Sequence, residues 1–216
     1  MKRIYQIIII ACLPLVFCGP VMAQHTGPYV GAFLGGNYLM TAKGTDDLGT
    51  FDLKFDPALQ GSAVAGWDFG SGNPVGEGRV ELEYTRRSNP LNEVKFVEGS
   101  FKGGGNVVVD SLLLNFWGVF HNKTPWAPYV GLGLGAARME ASDLKVIGHH
   151  LASGTSTVFA YQLGTGVDFA LNNYLNLDLG YRFFNSTQPK FTEVNGHTFK
   201  MEYFSHSAVL GLRVGF

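Results

Sequence analysis

From Tyr174 to Phe184 the chain reads YLNLDLGYRFF, and its side chains sort by parity onto two incompatible surfaces. Leu175, Leu177, Leu179, Tyr181 and Phe183 share one face, while Asn176, Asp178, Gly180, Arg182 and Phe184 share the other. A period of two belongs to an extended strand whose successive side chains point to opposite sides of a sheet. The same alternation recurs at 29–38, 61–70, 79–85, 110–120, 128–138, 158–171 and 207–216, which makes eight segments. No stretch carries a helical period, and after the first two dozen residues no apolar run is long enough for a membrane helix.

Alternation alone also fits a soluble sandwich, so the character of the two faces decides. By parity the polar face collects Asp68, Arg79, Glu81, Glu83, Asp168, Asp178, Arg182 and Arg213, interspersed with small residues. The apolar face carries Trp67, Phe69, Tyr84, Phe159, Tyr161, Phe169 and Tyr181, many of them near strand ends. An apolar band edged by aromatics around a polar interior is the pattern of a transmembrane barrel. The spacing of the segments agrees with this. The connections SGNP, HNKTPWA and NN after the second, fourth and sixth segments are short, whereas those after the first, third, fifth and seventh are long. The expected fold is therefore all-β: an eight-stranded antiparallel transmembrane barrel with short periplasmic turns, four long extracellular loops and both termini in the periplasm. An even number of strands permits closure, which removes the unpaired edges that lipid does not tolerate.

The N-terminus has the form of an export signal: Lys2 and Arg3, an apolar run interrupted by Pro14 and Gly19-Pro20, then Val21-Met22-Ala23. Residues 1–23 are expected to be cleaved, leaving 24–216 as the barrel domain, exported to the bacterial outer membrane. Both cysteines, Cys12 and Cys18, leave with the leader, which excludes disulfides and thiolate chemistry from the mature chain. Loss of Lys2 and Arg3 leaves 14 basic against 17 acidic residues, a net charge of −3, and nothing in this balance points to nucleic acid.

Several local motifs suggest chemistry and then fail on context. PYVGLGLGAAR, residues 128–138, holds Gly131, Gly133 and Ala136 in the G-x-G-x-x-A spacing of a dinucleotide loop. That loop needs a following helix and a βαβ unit; here the glycines share the interior parity and leave room for bulky groups from other strands. EYFSHSAV supplies Glu202, Ser205, His206 and Ser207, but His206 has lipid-facing parity and both serines interior parity, so a nucleophile-base pair is not expected. His149, His150 and Asp143 lack the spacing of a metal site. No catalytic, metal or cofactor site is expected. Asn185-Ser186-Thr187 matches a glycosylation acceptor that has little meaning in a bacterial envelope.

The interior charges are expected to be paired, with Glu81 and Glu83 reaching Arg79, Arg182 or Arg213, because an unpaired buried charge costs several kcal/mol. Five interior acids against three interior arginines imply that at least one carboxylate is hydrated or protonated more readily than usual. Recognition is expected in the long loops. The second, RRSNPLNEVKFVEGSFKGGGN, joins Arg86, Arg87, Lys95 and Lys102 to Phe96 and Phe101, a combination suited to an acidic glycan or a host protein, or to lipopolysaccharide phosphates at the rim.

The segments GPYVGAFLGG, LEYTRR, FAYQLGTGVDFALNNYLNLDLGYRF and HSAVLGLRVGF resemble the small outer-membrane barrels of the opacity-protein and surface-antigen group, similar in build to the OmpA transmembrane domain. The resemblance implies a monomeric, non-catalytic surface protein for adhesion or antigenic display, with a part in envelope integrity. Phe216 at the end of the last alternation resembles the signal read by the insertion machinery. The chain stops there, without the peptidoglycan-binding domain of OmpA-type proteins, so anchoring to the cell wall is not expected. Two other readings remain open: a lipid A-modifying enzyme, because some barrels of this size are such enzymes, and a small narrow pore.

Overall fold

A computed structural model describes residues 26–45, 49–72, 77–122, 124–147, 149–193 and 198–216, with the side chains at 149–152 and 192–193 outside the description. The expected leader, Asp46, Asp47 and the side chains of His149 and His150 thus lie outside the described residues. Twelve strands follow in order: β1 (Gly27–Leu39), β2 (Ala42–Thr45), β3 (Thr50–Phe55), β4 (Ala58–Asp68), β5 (Gly78–Phe96), β6 (Gly99–Val119), β7 (Trp126–Val146), β8 (His149–Ala170), β9 (Leu175–Ser186), β10 (Lys190–Glu193), β11 (Thr198–Met201) and β12 (Phe204–Gly215).

Eight of them, β1, β4, β5, β6, β7, β8, β9 and β12, pair antiparallel with their neighbours, and β12 returns to β1 to close the ring. Following paired residues around it gives Gly166, Gly180, Val209, Gly35, Gln60, Arg87, Val109, Met139 and then Ser156. The circuit returns to β8 ten residues from where it began. Such a stagger ties the strands to a tilt of roughly 40° and fixes a narrow interior. The connections 69–77, 120–125 and 171–174 are short, and both described ends of the chain lie beside them: the Phe216 amide donates to Pro28 and that of Gly215 to Tyr174.

The four long connections are themselves sheet. β5–β6 and β7–β8 run on as long hairpins of 19 to 22 residues per strand, about twice what a tilted strand needs to cross a bilayer. The other two connections fold into the short hairpins β2–β3 and β10–β11. These join the long hairpins through β3–β5 and β8–β10, and each other through β11–β2. The result is a second closed ring stacked on the first, in which β2 and β3 replace β1 and β4, and β10 and β11 replace β9 and β12.

Side chains follow the alternation. In the first ring Leu34, Leu82, Leu112, Leu132, Leu163, Leu179 and Leu210 face outward and are exposed. Trp67, Phe120, Trp126, Tyr174 and Phe216 circle the short-turn end, while Tyr38, Tyr84, Phe159 and Tyr181 circle the other edge of the apolar band. Beyond that edge the outer wall changes to Lys43, Lys54, Arg86, Lys95, Lys102 and Arg138. The interior is occupied throughout. A Cβ on Gly133 would collide with Oδ1 of Asn115, and one on Gly164 would lie 2.8 Å from the Trp117 ring and 2.9 Å from Cδ of Arg182. On the outer face, by contrast, a Cβ on Gly36 meets nothing within 4 Å.

Overpacking a filled interior costs ~1–3 kcal/mol or prevents folding. Gly133→Leu is therefore expected to abolish the compact form that migrates differently on an unboiled gel, whereas Gly36→Leu leaves it intact; equal behaviour of the two would contradict the interior packing.

Candidate functional site

All eight interior-parity charges point inward and are buried, and they divide into three groups. The strongest centre is Asp168 on β8, held by Nη1 of Arg79 from β5 and, at 2.5 Å, by Nη2 of Arg213 from β12. Asp178 is its direct partner on β9; it lies 3.6 Å from Nε of Arg213 and accepts the Tyr129 hydroxyl at 2.6 Å. Arg182 donates to the Tyr129 oxygen at 3.0 Å and stacks on Trp117, 4.4 Å from the ring centroid. Arg79 lies over Tyr129 and Arg213 over Tyr29, at 4.7 and 5.0 Å from the centroids. Arginine suits this role because its weakly hydrated plane can stack and still donate at its edge.

The glutamates are satisfied differently from the expected ion pairs. Glu81 accepts from the Tyr29 hydroxyl at 2.9 Å, Asn115 at 3.1 Å and the Trp117 indole at 3.3 Å. Glu83 accepts from Thr85, Asn115 and Gln162, each at 2.7 Å. The arginines are engaged by the two aspartates and by aromatic faces, so neutral donors solvate the glutamates instead. Asp68 stands apart near the short-turn end, where it accepts from the Gly70 amide at 2.8 Å and lies 3.8 Å from His121 Nε2.

Above this layer the interior becomes amide and hydroxyl, with Asn37 donating to Asn89 at 2.7 Å and Ser207 2.9 Å from both Asn37 and Gln60. Still higher it becomes apolar. Leu39, Phe51, Leu53, Leu91, Val94, Val107, Met139, Leu144, Phe184, Phe191, Phe199, Met201 and Tyr203 form one buried cluster that fills the second ring. The interior of the first ring is thus rich in buried charges and amides, with one small apolar cluster of Phe33, Val64 and Val209 among them, whereas that of the second ring is apolar behind a polar outer wall.

The candidate recognition residues are not one patch. Arg87, expected in a loop, is 1% exposed inside the barrel, where it donates to Ser111 at 2.9 Å and lies 4.2 Å from the Phe184 centroid. β5 continues past Thr85, so Arg87 keeps the inward parity of Arg79, Glu81 and Glu83. Phe96 and Phe101 also face inward; their centroids are 6.0 Å apart, and Phe96 packs on the apolar cluster. Lys95 and Lys102 point outward and are exposed. Arg86 is exposed too, bound to Asp110 at 3.0 Å. The outer wall carries alternating charge: Lys43 is opposite Asp52, Asp52 opposite Lys95, and Lys54 is bonded to Glu93 at 2.8 Å. The hydrogen bond to Glu93 raises the Lys54 ammonium above its ordinary range, and the one from Lys54 lowers the Glu93 carboxyl.

His206 faces outward at the edge of the apolar band, 2.5 Å from the Tyr181 hydroxyl, while Ser205 and Ser207 are buried inside. The strand divides the histidine from both serines. Among the described residues no group of three His, Cys, Asp or Glu side chains could hold a metal.

A closed ring with an apolar belt, aromatic edges and a charged interior defines a transmembrane β-barrel. Residues 9–203 match the outer membrane protein beta-barrel domain family, and the chain belongs to that family. The curated relative outer membrane protein PagN of Salmonella typhimurium is 26% identical over 127 residues; the match covers 50% of this chain and 49% of the relative, about half its length. Among solved structures, Neisserial surface protein A covers 88% of this chain and 98% of its own, with a TM-score of 0.53 and 21% identity. OprG from Pseudomonas aeruginosa covers 89% and 99%, with a TM-score of 0.58 and 15% identity. At these identities the two solved structures support the fold.

Asp168 carries two arginines, so Asp168→Asn strands both and is expected to destabilise the barrel by ~3–5 kcal/mol. Glu81→Gln removes a charge held only by neutral donors and is expected to cost less, about 1–3 kcal/mol. Urea unfolding in detergent micelles checks the order; the reverse ranking would contradict the pairing described.

Proposed function

We propose that the protein is a non-catalytic surface component of the bacterial outer membrane, a monomer whose second ring stands outside the cell as a rigid platform for adhesion. The observation that carries this reading is the apolar filling of that ring. A channel needs a continuous wet path, whereas the second ring is packed like the core of a soluble domain. An ordered projection also presents its tips without the entropy cost of ordering mobile loops on binding. The long-hairpin end then faces the medium and both termini the periplasm, in keeping with short turns inside and long connections outside. Lys95 and Lys102 on the outer wall supply contacts for an acidic glycan or a host protein, and the Arg86 region for lipopolysaccharide phosphates. The separation of His206 from Ser205 and Ser207 favours this reading over a lipid-modifying enzyme, and the apolar cluster inside the second ring favours it over a pore.

The test compares cells displaying the whole barrel with cells displaying one in which 42–55, 88–107, 140–155 and 188–202 are replaced by short turns, at equal surface expression, against epithelial cells and matrix proteins. Binding is expected to fall at least fivefold on trimming and partly in Lys95→Glu/Lys102→Glu. Unchanged binding in both variants removes the adhesin reading. In planar bilayers the intact barrel is expected to give no steady conductance.

A further inference from the structure

The apolar belt is not smooth. On the outer face of β12, β1, β4 and β5 a groove of about 920 Å³ runs over Ala32, Gly36, Gly61 and Ala63. Its shape comes from a cross-strand pattern in which each large residue faces a small one. Leu34 is opposite Gly61 and Leu59 is opposite Gly36, while the next pair, Ala32 and Ala63, is small on both sides. Leu34 and Leu59, 74% and 82% exposed, stand as walls, with Tyr84 and Leu210 at the flanks. The glycines are not there to accommodate neighbours. A Cβ on Gly36 meets nothing, and one on Gly61 meets only Leu34, at 3.8 Å. Nor does a special backbone conformation require them, since neither has a positive φ. Their effect is a channel in the lipid-facing surface, of a size in the usual range for a small-molecule site.

The chemistry at one end of the groove selects its occupant. Gly61 is the register partner of Arg86, Arg86 of Asp110, and Asp110 of Arg138. Two outward-facing arginines thus flank one aspartate at the edge of the aromatic belt, beside Tyr84, whose hydroxyl donates to Asp110 at 2.6 Å. The bond from Arg86 to Asp110 uses Nη1, and the Arg86 side chain remains 61% exposed. An apolar slot in the lipid-contacting belt, with Tyr84 at its flank and Arg86 one strand and Arg138 three strands beyond Gly61, complements a broad molecule with several acyl chains below and phosphate above. We propose that this groove holds one outer-leaflet lipid of the lipid A type, with an acyl chain along Gly36 and Gly61 and a phosphate on Arg86 and Arg138. Naming the leaflet rests on the orientation proposed above; the groove and its chemistry do not. Arginine suits the phosphate because its fork can meet two oxygens while a neighbouring carboxylate holds it in place.

The test uses the full barrel in nanodiscs supplied with purified lipid A or with its dephosphorylated form, read by native mass spectrometry after release from the disc. The unmodified protein is expected to retain one lipid A and far less of the dephosphorylated lipid. Gly36→Leu/Gly61→Leu fills the groove without an interior clash, and is expected to lower retention about tenfold, as is Arg86→Gln/Arg138→Gln. Ala136→Leu, an added leucine on the outer face of β7, leaves it unchanged, and gel mobility without boiling verifies that each variant is folded. Absence of retained lipid, equal retention by the groove-filled variant, or indifference to the phosphates overturns the proposal. A dimer that disappears in Gly36→Leu/Gly61→Leu also overturns it and assigns the groove to a second copy of the chain. Cell binding is not read in this experiment, so its failure leaves the adhesion reading untouched.

Discussion

Pairing of every backbone amide and carbonyl inside the lipid belt is the constraint from which the rest follows. Hydrocarbon offers no substitute partner, so a sheet can cross only as a closed ring. Eight strands with a stagger of ten residues close with an interior just wide enough for side chains. That narrowness explains the glycines. Where Trp117, Tyr129 and Arg182 project inward, the facing positions on β8 and β9 are Gly164, Gly166 and Gly180, because a Cβ there would fall on their side chains.

Closure also obliges the barrel to solvate its own charges. In the lower interior, Asp168 binds two arginines, while Glu81 and Glu83 are surrounded by hydroxyl, amide and indole donors. Aromatic faces complete the arrangement by holding the flat sides of Arg79, Arg182 and Arg213. Outside the membrane the requirement reverses. The wall is wet, so the interior is free to be apolar, and the cluster around Phe51, Val94, Met139, Phe191 and Phe199 closes the second ring as a soluble core would. The two rings share β5 to β8, whose long hairpins make the projection continuous with the membrane wall.

Much of this was legible in the alternation. Parity over 61–70, 79–85, 158–171, 174–184 and 207–216 assigns the inward charges, and the unequal connections distinguish the short-turn end from the long-connection end. Arg87 differs from the sequence expectation for a local reason: the alternation is plain only as far as Thr85, although the same parity continues through Arg87 and Asn89. Polar residues on both faces of that stretch resemble a loop, because outside the bilayer the outer face needs no apolar residues. Tyr29, Trp117 and Tyr129 share inward parity with their neighbours, which separates them from outward aromatics such as Trp67 and Trp126, but which charge each one meets is not written in the parity.

What the sequence determined by itself was the period of two, the sign of each face and the number of crossings, because these depend only on side-chain order along a strand. Tertiary structure decided the partners. Whether Glu81 meets an arginine or an indole depends on register between strands that lie 36 residues apart at Trp117, and register is a property of the closed ring. The second ring is likewise a tertiary fact: β2, β3, β10 and β11 are short strands that persist because the long hairpins pair with them and their apolar faces meet in one core. The groove beside Arg86 has the same origin, since Gly36 and Gly61 become one depression only when β1 and β4 bring them together.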